Sequence, residues 1–319
     1  MKAFVLACCV LLSFPGSESA QKQEGWHQAD QTSSATPSPT FDPSTPLGSR
    51  ITLPPDFVRQ RYRDLPKPSP TFHELTEAEH SKVENVLKEL PAFTRQVFAQ
   101  HVRSISFVDG PFGNGTTTME PGSTGPVFDI VLRAGLLNES VSTFLTRKEQ
   151  GYYTAAGSGL TLSIEAGTLP ALLYVLLHES VHVLDISNRA GRGGPPQLYA
   201  GSPSDQLVRG IWESAIDKVP AYRSQLFKLS WFGAGKPESI EAAEPTYRFL
   251  ASTPFVSLYG SSNWYDDAAE LVTCYYLTQK LQQPYRIVLS RGTETLYSLS
   301  PMDGALVRAR FPQIIALFG

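Results

Sequence analysis

Apolar positions first fall into a regular pattern near Thr76. Thr76-Glu77-Ala78-Glu79 fits a helix capping box, and Val83, Val86, Leu87 and Leu90 recur at helical spacing. Pro91 interrupts the run, and Phe93, Val97, Phe98 and Val102 predict a second helical piece. Residues 105–108 and 127–132 read as two strands separated by a loop rich in Gly and Thr, and 160–164 as a further strand closed by Gly167. From Thr168, a capping residue, and Pro170, suited to a first turn, the chain turns helical; 171–186 is apolar almost all round, the mark of a buried helix. A long segment, 187–249, contains Gly191-Arg192-Gly193-Gly194-Pro195-Pro196 and predicts one helix near 205–216. The last clear helix covers 265–282, and a weaker one lies near 304–317. With no internal repeat, the pattern predicts a single α+β domain.

Ahead of that domain the composition changes. Residues 21–70 are rich in Pro, Ser, Thr and Gln without hydrophobic periodicity, and read as a flexible tether. Lys2 followed by ten apolar-rich positions, then Phe14-Pro15-Gly16 and the small residues Ser17, Ser19 and Ala20, predicts a cleavable export signal over 1–20. The expected division is signal 1–20, tether 21–70 and folded domain 71–319, in a secreted or periplasmic protein. Val5-Leu6-Ala7-Cys8 resembles a lipidation box but sits too early to leave a normal apolar region before it, so a lipid anchor is not favoured. Cys274 is the one cysteine beyond the signal, which rules out an internal disulfide in the mature chain; its apolar neighbours predict burial. The formal net charge of -3, with no Lys/Arg cluster, gives no basis for nucleic-acid binding, and no membrane span is expected.

The chemistry concentrates in His178-Glu179-Ser180-Val181-His182. In a helix, positions i and i+4 share a face, so two imidazoles can meet one zinc ion while Glu179 stands beside it as general base for a water. Such a site needs a third protein ligand and an open position. Asp266 and Glu270, again at i and i+4, are the candidates; Asp267 is a candidate for supporting the ligands from behind, with a solvated acid at a helix start as its simpler reading.

Residues 255–263, Phe-Val-Ser-Leu-Tyr-Gly-Ser-Ser-Asn, followed by Asp266-Asp267-Ala268-Ala269-Glu270, resemble the second zinc-site segment of the secreted zincin peptidases that include anthrax lethal factor and the Pro-Pro endopeptidases. The resemblance covers 160–186 and 255–277. It implies a zincin-like metallopeptidase domain, a mixed sheet with an edge strand over two active-site helices. It assigns Asp266 as third zinc ligand, Glu270 and Asp185 as acids that orient ligand histidines, and Tyr259 as donor to the developing oxyanion. Leu160–Glu165 would be the edge strand that pairs with an extended peptide. Two positions depart from the group: Val181 stands where Gly is usual, and Asp266 where Glu is usual. The expected function is a secreted Zn2+-dependent peptidase acting on an extended peptide or protein. The competing expectations are a zinc hydrolase of a non-peptide amide and a non-catalytic binding protein that keeps the fold. Asn114-Gly115-Thr116 and Asn138-Glu139-Ser140 are glycosylation acceptors only in a host with that pathway.

Overall fold

The computed structural model describes residues 41–65, 68–110, 112–120, 125–154, 157–190, 203–230 and 237–318. The expected export signal and the first part of the expected tether lie outside these residues. In chain order the elements are α1 (Asp56–Arg63), β1 (Thr71–His73), α2 (Glu77–Glu89), α3 (Ala92–His101), β2 (Val102–Asp109), β3 (Gly115–Met119), β4 (Phe128–Arg133), α4 (Val141–Gln150), β5 (Tyr153–Thr154), β6 (Leu160–Glu165), α5 (Ala171–Ala190), α6 (Asp205–Val208), β7 (Glu238–Ser239), α7 (Ala243–Leu250), α8 (Trp264–Tyr275), β8 (Arg286–Arg291), β9 (Glu294–Leu299), α9 (Ala305–Arg308) and α10 (Phe311–Phe318). The architecture is mixed α+β, as expected.

The principal sheet has the order β1-β2-β4-β3. β2 and β4 run parallel, whereas β1 and β3 join them antiparallel. The interior run of β4 is apolar on both faces because both faces are covered. Phe128, Ile130 and Leu132 enter the main core with α2, α3 and α5; Val131 joins Val58 and Tyr62 of α1 on the opposite face. Its one acid, Asp129, is buried against Arg103 at 2.5 Å and the Ser104 hydroxyl at 2.6 Å. The Thr76 capping box of α2 forms as the sequence predicts.

The stretch 41–65, expected to be tether, is ordered. Arg50 is buried, and its guanidinium donates to the carbonyls of Asp42, Pro43 and Thr45 on one side and of Phe98, Ala99 and Val102 at the end of α3 on the other. α1 then buries Val58 and Tyr62, worth about 1.5–3 kcal/mol each. Hydrogen bonds from one side chain to backbone carbonyls leave no periodic trace in the sequence, which is why composition alone read this stretch as tether.

The loop expected between β2 and β4 contains a strand, β3, at the open edge of the principal sheet. The helix expected over 205–216 stops at Val208: Gly210 adopts φ 77°, and the chain then doubles back through a Trp212–Lys218 bridge. The helix expected over 304–317 is two, α9 and α10, because Pro312 cannot donate to the preceding turn. β6, β8 and β9 form a separate antiparallel sheet. α8 continues into a π-helical turn at Tyr276–Lys280. Among the described residues no helix is long and apolar enough to cross a membrane. Cys274 is buried and free.

Candidate metal centre

α5 is held from behind by its own motif. Ser180 and Val181 are buried, Ser180 Oγ donating to Leu177 O at 2.7 Å and lying 3.2 Å from Thr94 Oγ1 of α3. Packing thus uses 180 and 181, leaving His178, Glu179 and His182 for the site. Their Nε2 atoms, His178 to His182, are 3.1 Å apart.

α8 supplies the facing acids, and its cap sets their register. Asn263 Oδ1 accepts the Asp266 amide at 2.9 Å, and Asn263 Nδ2 donates to Asp266 Oδ2 at 2.6 Å. That leaves Asp266 Oδ1 buried without a hydrogen-bond partner. It lies 3.4 Å from His178 Nε2 and 3.5 Å from His182 Nε2. A tetrahedral ion with ligands at about 2.0–2.1 Å requires ligand atoms about 3.3–3.4 Å apart. The triangle of 3.1, 3.4 and 3.5 Å therefore fits one small divalent cation. The orphaned Oδ1 is the atom such an ion would satisfy.

Glu270, one turn further on, faces the other ring nitrogen: its Oε1 is 3.3 Å from His178 Nδ1. The same oxygen accepts from Lys148 Nζ at 3.2 Å, and Oε2 accepts from Ser257 Oγ at 2.7 Å. Both of its oxygens are thus engaged away from the Nε2 pair, the arrangement that orients a ligand imidazole. Of the two candidates for third ligand, Asp266 is the one facing both Nε2 atoms.

Burial works to raise the Asp266 carboxyl, but His178 and His182 hold it well below the usual carboxylate range. Burial likewise opposes ionisation of Glu270, yet Lys148 and His178 bring it down to about 2. For His178 burial favours the neutral ring, and the contacts with Asp266 and Glu270 outweigh it, raising its pKa. The Asp266 and Glu270 carboxylates are thus enclosed beside two imidazoles, with the Lys148 ammonium 3.2 Å from Glu270 Oε1.

Glu179 lies against β3. Its Oε2 accepts from Thr117 Oγ1 at 2.6 Å, and a Cβ at Gly115 would stand 2.9 Å from its Oε1. The Tyr259 ring is centred 5.6 Å from the His178 ring, with Lys148 Nζ 3.5 Å from its centroid. Asp185 is buried and accepts the Ser204 amide at 3.3 Å. Asp267 corrects the reading as a solvated acid: it is fully buried, bonded to Trp212 Nε1 at 2.9 Å and to Arg310 at 2.8 and 3.0 Å. Those partners fix the first turn of α8; none belongs to the His–His–Asp group.

The expected edge strand Leu160–Glu165 is also corrected. β6 does lie at the edge of its sheet, but side chains of α4 occupy the backbone groups there. Thr146 Oγ1 takes the Ile164 amide at 2.8 Å, Gln150 donates to Leu162 O at 2.8 Å, and Ser142 Oγ takes the Ala166 amide at 2.8 Å. The strand beside the site is β3. Lys148, Ser257, Thr117 and Asn263 were not singled out from sequence; only Asn263, an N-cap residue type immediately before a helix, carried a readable signal.

Comparison with protein-family models, with curated proteins and with solved structures finds no match to this chain.

Proposed function

We propose that this protein is an exported zinc-dependent peptidase of zincin type that cuts an extended polypeptide. The observation carrying the reading is the convergence of His178 Nε2, His182 Nε2 and the orphaned Asp266 Oδ1, with Glu179 beside them under an antiparallel edge strand. His178, His182 and Asp266 would hold the ion. Zinc bound there would supply Lewis acidity, making hydroxide available from water near neutral pH. Glu179 takes the proton of the attacking water and delivers it to the leaving amine. Tyr259 donates to the oxygen on which negative charge develops. Glu270, backed by Lys148 and Ser257, stands 3.3 Å from His178 Nδ1 and would orient that ring.

β3 is suited to bind substrate main chain. Arg133 N donates to Asn114 O and Glu120 N to Val127 O, so the even positions of β3 pair with β4. The amides and carbonyls of Gly115, Thr117 and Met119 consequently face the edge away from β4, where an extended peptide can add a strand. Export rests on the sequence of residues 1–20.

The test is zinc content of the chain from residue 21, measured by elemental analysis, with Asp266→Ala and Glu270→Ala beside the wild type. The expected result is about one zinc per chain in the wild type, lost in Asp266→Ala and largely kept in Glu270→Ala. A wild type that takes up no zinc under replete, chelator-free conditions sinks the peptidase reading and leaves a binding protein.

A further inference from the structure

We infer that Thr117 is a positioning residue for Glu179, and that β3 thereby couples the gripping of substrate to the orientation of the general base. The inference rests on the peptidase reading. Glu179 is flanked by two residues of one strand. Thr117, fully buried, donates a hydrogen bond from its hydroxyl to Oε2 at 2.6 Å. Gly115, two residues earlier on the same face, stands opposite Oε1 with no side chain. A Cβ there would meet Oε1 at 2.9 Å and Leu132 Cδ2 at 3.0 Å. The flexible carboxylate is therefore held at one oxygen and given room at the other by a single backbone segment.

That segment is also the one offered to substrate. In β3 the residues whose backbone groups point away from β4 are 115, 117 and 119, as the bonds of Asn114 and Glu120 to β4 require. A peptide pairing along this edge would bond to the backbone of the residue whose hydroxyl holds Glu179. Ordering the main chain at Thr117 orders the Oγ1–Oε2 contact with it. A short or poorly paired substrate leaves the base less well held, so it loses kcat as well as affinity.

The test uses Thr117→Val, which removes the hydroxyl at nearly constant shape, Thr117→Ser, which keeps it, and Gly115→Ala, which crowds Oε1. Zinc content, Tm, kcat and KM are measured for each on a peptide the wild type cleaves. Thr117→Val is expected to keep about one zinc per chain and KM within about threefold while kcat falls about 10–100-fold. Thr117→Ser should recover most of that loss, and Gly115→Ala should lower kcat in the same way. Independently of turnover, the Tm loss of Thr117→Val should shrink by at least about half in a Glu179→Ala background, since its partner is already gone. Undiminished kcat in Thr117→Val, a Thr117→Ser variant as poor as Thr117→Val, or additive Tm losses overturns the role of Thr117 alone. A wild type without zinc or without hydrolysis overturns the peptidase reading and the coupling together.

Discussion

Arg310→Met tests how firmly the first turn of α8 is fixed. The guanidinium and the Asp267 carboxylate are both buried, joined at 2.8 and 3.0 Å, and Arg310 also donates to Leu207 O at 3.0 Å and Pro254 O at 2.9 Å. Methionine fills much of the volume and removes every donor. Breaking a buried ion pair by deleting one partner costs about 3–5 kcal/mol, because the remaining charge is left uncompensated. Trp212 Nε1 still donates to Asp267 at 2.9 Å, so the lower end of that range, about 3 kcal/mol, applies, and the two orphaned carbonyls at about 1 kcal/mol each bring the total to about 5 kcal/mol. For a folded part of this size each kcal/mol shifts Tm by about 2–4 °C, so the midpoint of thermal unfolding followed by far-UV circular dichroism should fall by roughly 10–20 °C. Adding Asp267→Asn removes the stranded charge and should restore part of the loss. An Arg310→Met variant melting within about 2 °C of wild type, or a double variant melting lower than the single, refutes the reasoning.

Two further outcomes follow from buried groups. Glu149, deep in the interior with the Tyr247 hydroxyl at 2.6 Å, has its pKa raised to about 7 by burial. The unfolded chain loses that proton near 4.5, so folding takes up a proton between those values; stability falls as pH rises from about 4.5 to 7 and is flat beyond. Glu149→Gln, which can still accept from Tyr247, should therefore be more stable than wild type at pH 8 by a few kcal/mol and nearly equal at pH 4.5. Denaturant unfolding at the two pH values checks it, and an equal difference at both would be against it. Arg50→Met should cost about 3 kcal/mol and open residues 41–50 to limited proteolysis, read by mass spectrometry; unchanged protection would mean that the strap is held by something else.

Where the sequence was readable, one signal was enough to decide locally. α5 declared itself by apolar residues on every face, and the imidazole pair by spacing along it. The capping box at Thr76 set the start of α2. β3 was not readable because Gly-Thr-Thr-Thr-Met has too little apolar content to stand out; Thr117 and Thr118 are buried, and Thr117 is satisfied by Glu179. β6, with clean alternation, drew the edge-strand assignment instead, and nothing in its own sequence reveals that α4 has occupied its edge. The same holds for the site. The spacing of Asp266 and Glu270 allowed either to face the histidine pair. Lys148, 122 residues away, and Ser257 engage Glu270, while the helix cap Asn263 leaves one Asp266 oxygen unbonded.

The packing of α5 bears on what an ion in the site would contribute to folding. The helix is fastened by Leu172, Leu173, Leu176, Leu177, Val181 and Val183 in the main core and by Ser180 against Thr94, all independent of anything bound between His178 and Asp266. In small zinc modules the ion supplies the folding free energy and its removal unfolds the chain. None of those contacts needs an ion, so if the site holds the proposed zinc, the helix can form before the ion is bound. On the proposed reading, chelation would then remove activity without unfolding the chain, and the ion present where folding finishes would decide what the site carries.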